Sequence, residues 1–319
     1  MVKNVYGGIV MAQMYFYKFN INSDIYDVYR DATLQEKVLN KVFESITSDF
    51  TCTQYYKEPD GLEKTVEYKF CDLEKDISTL KVTGRLVKIF DGETQTYNRI
   101  KDTVDIKYEE DKAASATFCF DILNEEIAFI TRQGLRYLQF GKYFMDLLEM
   151  KFPENSFKLV LEKNVGELRS KVLGINRILK MSSEMIPPNA NEEEFGILLG
   201  ASVDEFKETK ATKYSQSIEV PVKGKNAINP NTKFFERLFF AIGRGYATMT
   251  VEGRDKENTK VIVNSDEDAP YKIPIPEKEK DSITAFKERA SLGITKLIRD
   301  KSKLKLRETG EIDGGEEKS

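Results

Sequence analysis

The chain has 319 residues, is 40% hydrophobic and 32% charged, carries a formal net charge of −4, and contains no histidine. The missing imidazole excludes Ser-His-Asp triads, Cys-His dyads, HExxH metalloproteases and His-bearing zinc sites, leaving carboxylate, lysine or tyrosine chemistry or none. The mixed charge excludes a histone-like binder, and Cys52, Cys71 and Cys119, an odd set with no CxxC pair, argue for a reducing cytoplasm over a disulfide framework or zinc knuckle.

Residues 1–11 read as a flexible leader too short in apolar run for a secretory signal, and no stretch approaches the roughly 20 apolar residues of a membrane span. The run MYFYKFNI (14–21) is dense enough in apolar and aromatic residues for a core strand. Thr33-Leu34-Gln35-Glu36 has the form of a capping box opening an amphipathic helix that ends near Asp49. Strand-like runs from Phe50, Thr65, Thr79, Ala116 and Glu126, separated by turn residues, make 12–133 a sheet-rich N-terminal domain.

Leucines and aromatics three and four apart in 135–152 predict a helix that opens a mixed α/β domain, 134–264. Within it follow a strand from Ser156, a helix closed by Gly174 and a strand from Ile175 stopped by Pro187-Pro188. A helix over 192–210 comes next, then a strand from Ser217 and a helix capped by Asn231 and broken at Gly243-Arg244-Gly245. A hairpin around residues 255–258 closes the domain. Pro270, Pro274 and Pro276 among charges mark 265–280 as an extended linker. Ser282 caps a final amphipathic helix, 281–307, with Ile283, Phe286, Ala290, Ile294, Leu297 and Leu304 on one side. It carries eight Lys or Arg against three acids, net +5; residues 308–319 hold five acids and one lysine, net −4, which leaves −5 for residues 1–280. The acidic end lacks core-forming residues and is expected to be disordered. The fold class is α+β.

Two constellations carry candidate chemistry. Pro59-Asp60 followed by Glu67-Tyr68-Lys69 has the PD…ExK order of restriction-type nucleases, in which Asp60 and Glu67 would hold Mg²⁺ and Lys69 would orient the attacking water. Similar ExK and DxK triplets at Asp105-Ile106-Lys107, Glu110-Asp111-Lys112 and Glu149-Met150-Lys151 make solvated strand charges the default, and catalysis with its Mg²⁺ the alternative. Acidic runs 109–111 and 192–194 lack the alternating ligands of a calcium loop and read as solvated faces. The stronger candidate is the last helix, whose Lys287, Arg289, Lys296, Arg299, Lys303 and Arg307 can neutralise DNA phosphates without reading sequence. Deleting 281–319 is then expected to abolish DNA retention without unfolding 12–264. Self-association through the apolar side of the same helix is the competing expectation.

ILKMSSEMIPPNANEEEF (178–195) and FFAIGRGYATMTVEGRDKENTKVIVNSDEDAP (239–270) resemble blocks shared by bacterial and prophage proteins. The order of elements, with the MYFYKFNI strand and the FDILNEEIAFITR pair, is similar to Rex-type phage-exclusion sensors and the DNA-binding component of Kiwa-type defence systems. The resemblance implies a cytoplasmic homo-oligomer of anti-phage defence that engages DNA or phage DNA-protein complexes and signals to a partner effector; no cofactor is expected outside the Mg²⁺ of the nuclease alternative. It offers no catalytic residue to carry over.

Overall fold

The computed structural model describes residues 5–6, 9–57, 63–132, 134–153, 156–189, 192–199, 203–279 and 282–304. Strands β1 (Val5–Tyr6) and β2 (Ile9–Ile21) open the chain as a hairpin, Val5 opposite Val10, so the described part of the expected leader is strand. Helices α1 (Ile25–Arg30) and α2 (Ala32–Ser45) follow. Asp31 caps α2 in place of the box expected on Thr33, its Oδ1 accepting the Thr33 N–H at 2.9 Å. Then come β3 (Cys52–Lys57), β4 (Glu63–Asp76), β5 (Lys81–Asn98), β6 (Thr103–Asp121), β7 (Glu126–Thr131) and α3 (Tyr137–Glu149). The second half holds β8 (Phe157–Leu161), α4 (Val165–Leu173), β9 (Arg177–Met185), α5 (Glu192–Leu199), α6 (Val203–Thr209), β10 (Tyr214–Glu219) and α7 (Lys233–Arg244). It ends with β11 (Ala247–Arg254), β12 (Lys260–Asn264), α8 (Ser265–Asp268), β13 (Lys272–Pro276) and α9 (Ile283–Ser302). The α+β class holds, with large antiparallel sheets.

Two compact units emerge, and neither is contiguous in sequence: unit 1 is Met1–Met14, Lys37–Ser156 and Ile273–Leu292, and unit 2 is Tyr15–Glu36, Phe157–Lys272 and Gly293–Ser319. The expected cut between 133 and 134 is replaced because α3 belongs to unit 1. There the strands run β1-β2-β7-β6-β5-β4-β3. Alternation along β4 buries Val66, Tyr68 and Phe70, and α3 lays Phe140, Tyr143 and Phe144 on that face. Phe129 stacks on Phe140 at 4.0 Å, and Phe118 meets Phe144 edge-on at 5.4 Å, the latter a geometry that aromatic quadrupoles favour.

In unit 2, β8 pairs with Tyr17–Ile21 of β2, and a four-stranded sheet runs β10-β9-β11-β12. Phe235, Leu238, Phe239 and Ile242 of α7, at helical spacing, share one core with Met181, Met249 and Val251 of that sheet. Thr232, one residue after the expected Asn231, caps α7 by accepting from Phe235 N at 3.5 Å. Gly245 ends the helix with φ +84°, a left-handed conformation that suits glycine. Two helices, α5 and α6, occupy the segment read as one; their junction, 200–202, lies outside the described residues.

The linker expected over 265–280 is instead folded. Asn264 caps α8, Ala269 and Ile275 are fully buried, and β13 pairs with β2. Its prolines fit because β13 has no other strand neighbour among the described residues, and an edge strand tolerates missing N–H donors. The proposed acidic tail, 308–319, lies outside the described residues.

Candidate nucleic-acid interface

The sequence dictates α9 from both ends of its amphipathic pattern. Ser282 Oγ accepts from Ala285 N at 3.3 Å, satisfying a first-turn donor. Phe286, Ala290, Ile294 and Leu297, spaced four, four and three apart, are all 3% exposed or less. That apolar side is therefore consumed within the chain. The expectation of self-association through it is corrected, as is the expectation that 281–319 can be deleted harmlessly: Phe286 and Ala290 fall in unit 1, Ile294 and Leu297 in unit 2.

The opposite side of α9 faces solvent. At 100° per residue, Arg289 and Lys296 fall within about 20° of one another and Arg299 lies about 60° from Lys296, while Lys303 follows in the turn just after α9. Lys296, Arg299 and Lys303 are exposed. Lys296 and Arg299 are about 4.5 Å apart along the axis at 1.5 Å per residue, so with Lys303 beyond them the set can meet neighbouring phosphates of one strand. Arg289 is exposed as well, but its Nε donates to Glu279 Oε2 at 2.8 Å, and this guanidinium holds the Glu279 carboxyl below the usual range. Lys287 is half-buried and projects about 180° from Lys296, near the buried Cys119 thiol. It is thus corrected off the stripe. Arg307 lies outside the described residues.

Lys301, a member of the same basic run, does something the sequence did not disclose. It is buried, and its Nζ donates to Glu162 Oε1 of unit 2 at 2.6 Å, a pair 139 residues apart in the chain. No local signal marks a lysine for such a partner. Beside this pair, Tyr271 donates to Asp300 Oδ2 at 3.3 Å. Burial first, then the negative charge of Asp300, pushes the Tyr271 phenol up to about 12, with Arg299 opposing. Buried Lys163 faces Asp266 Oδ1 at 2.7 Å. Lys303 lines a cavity of about 360 Å³ with Val165, Arg169, Glu236, Phe240 and Leu304, where Arg169 and Glu236 neutralise each other through a bidentate pair. The Lys301–Glu162 and Tyr271–Asp300 contacts tether the C-terminal turns of α9.

The nuclease-like positions are only partly brought together. Glu67, exposed, and Lys69, half-buried, share one face of β4 opposite Val66, Tyr68 and Phe70, as strand alternation requires. Their ladder neighbours are Thr53 and Ile89 for Glu67, and Val87 for Lys69, none a carboxylate. Pro59 and Asp60 lie outside the described residues, and no group of three or more Cys, Asp or Glu side chains among the described residues could hold a metal ion. Nor is the 192–194 run simply solvated: Glu194 is buried and accepts from Arg244 Nε at 2.6 Å. Gly243-Arg244-Gly245 is accordingly a helix end whose arginine is spent on an internal ion pair.

A family model described as Domain of unknown function (DUF4747) matches residues 77–291, more than half of the chain. No curated protein matches the sequence. The matched segment ends inside α9, before Lys296.

Proposed function

We propose that this chain, which belongs to the DUF4747 family, binds the phosphate backbone of DNA through the solvent side of α9 and serves, without catalysis of its own, as the recognition component of an anti-phage defence system. One observation carries the binding reading: α9 buries Phe286, Ala290, Ile294 and Leu297 while Lys296, Arg299 and Lys303 stand in solvent. Three exposed cations on and just beyond one helix give salt-sensitive, sequence-blind attraction, and the −5 body outside the final segment keeps that attraction local. The defence setting, the cytoplasmic location and the separate effector rest on the resemblance to exclusion sensors. No helix among the described residues is long and apolar enough to cross a membrane.

Fluorescence anisotropy with a generic duplex across a salt series, with and without Mg²⁺ and with products run on a gel, tests the reading. Steep salt dependence on intact DNA supports it. No binding at low salt removes it, and Mg²⁺-dependent fragments that vanish in Glu67→Ala replace it with nuclease chemistry.

A further inference from the structure

Strands β5 and β6 outrun their sheet. The β4 ladder on β5 stops at Phe90, and the β7 ladder on β6 begins only at Ala116. Beyond Phe90 the register shifts: Phe90 faces Lys112, but Gly92 faces Glu109, leaving one residue on β5 opposite two on β6. Asp111 takes φ +53° in this bulge, and its N–H donates to Asp91 Oδ1 at 3.0 Å. From there to the Arg99–Asp102 turn, the only ladder among the described residues is that between β5 and β6 themselves. The result is a two-stranded arm on unit 1.

The bulge decides what the arm shows. Directly opposite residues of an antiparallel pair share a face. One face pairs Thr94 with Lys107, Thr96 with Asp105 and Asn98 with Thr103. Its polar groups are largely satisfied internally, Thr94 Oγ1 donating to Glu109 at 2.8 Å and Lys112 Nζ to Thr94 at 3.0 Å. The other face pairs Tyr97 with Val104, Gln95 with Ile106 and Glu93 with Tyr108. There Val104, Ile106 and Tyr108 are 55%, 61% and 61% exposed, Tyr97 is 57%, and Ile100 at the tip is 98%. With full exposure of about 150–250 Å² for an aromatic and somewhat less for an aliphatic, this leaves on the order of 500 Å² in water, the size of patch that marks an interaction site. A free two-stranded ribbon is marginal in water unless a further layer covers its apolar face.

We propose that this face is covered by the same face of a second copy of this chain, the two arms stacking antiparallel about a two-fold axis near Ile106. The charges select that occupant. The tip carries Arg99 and Lys101 against Asp102, while the root carries Asp91, Glu93, Glu110 and Asp111 with Lys112 as its one cation, Glu109 lying on the other face. Antiparallel stacking sets each basic tip against the partner's acidic root, and parallel stacking sets like charges together. A self-complementary patch of this kind is what a closed two-fold interface requires.

The test uses the full chain in sedimentation velocity over a concentration series. The wild type is expected to dimerise at or below about 100 µM, and Ile106→Lys to be monomeric with unchanged melting, since its side chain is more than half exposed. Arg99→Glu/Lys101→Glu is expected to weaken association at least tenfold. Under mild oxidation, Ile106→Cys is expected to form a covalent dimer, with the wild type and its own Cys52 and Cys71 as control. A monomeric wild type overturns the proposal, as does an Ile106→Lys dimer of undiminished affinity. Failure of Ile106→Cys to cross-link overturns the two-fold arrangement. DNA binding by the monomeric variant is a separate readout, so the two readings fail independently.

Discussion

Replacing Lys296, Arg299 and Lys303 together by alanine gives the sharpest test of the DNA reading, because the expected change lies in a slope. Each phosphate neutralised contributes about −0.9 to d log K/d log[salt] on B-DNA, so three exposed cations give a slope near −2.7. Between about 50 and 200 mM salt, wild-type affinity then falls roughly 40-fold. The triple variant is expected to have lost most of that dependence, and each single alanine to lower the slope by about 0.9. Because the three side chains are exposed, melting is expected to shift by no more than about 0.5 kcal/mol of stability, which separates lost contact from lost fold. Lys287→Ala, on the opposite side of α9, is the internal control and leaves the slope unchanged. Anisotropy titrations at four salt concentrations supply all the slopes. Parallel lines for wild type and triple variant would refute the reasoning, since binding would then come from another surface.

Three further outcomes concern the support beneath that surface. Glu162→Ala breaks the buried pair with Lys301 and is expected to cost about 3–5 kcal/mol in urea unfolding, whereas Glu162→Met/Lys301→Met recovers most of it; equal losses would show that the ionic pairing is not what is missing. Gly245→Ala places a Cβ 2.5 Å from Glu162 Oε1 at φ +84° and is expected to destabilise by on the order of 2 kcal/mol, a value near zero contradicting the left-handed cap. Tyr271, whose phenol is raised to about 12, contributes stability that is complete below the unfolded value near 10 and lost as pH rises through about 12. Tyr271→Phe is therefore expected to flatten the alkaline decline in melting temperature over that window, and identical declines would sink the assignment.

Where a face repeats locally, the sequence disclosed the structure. MYFYKFNI lies within β2, the three-and-four rhythm of FFERLFFAI is α7, and Ser282 with Phe286, Ala290, Ile294 and Leu297 specified α9. Prolines misled at 265–280, because Pro274 and Pro276 denote an edge strand as readily as a linker. The arm escaped notice for a different reason. Val104, Ile106 and Tyr108 alternate in step with Phe118 and Phe120, and only the bulge at Asp111, a backbone event without a compositional mark, turns them to the other face. Along α9, exposed Lys296 and buried Lys301 are indistinguishable as text. A partner 139 residues distant separates them.

The interleaving of the two units also sets a schedule for biosynthesis. Strand β2 leaves the ribosome early, yet β13, which pairs with it, begins at Lys272, and the last segment of unit 1 ends only at Leu292. At about 5–20 residues per second, the roughly 250 residues between β2 and β13 take on the order of 13–50 s to appear. For that interval an aromatic-rich strand waits without its full complement of neighbours, in the state most prone to aggregate or to recruit a chaperone. A chain stopped before α9 lacks part of both units, so premature termination is expected to leave each of them incomplete.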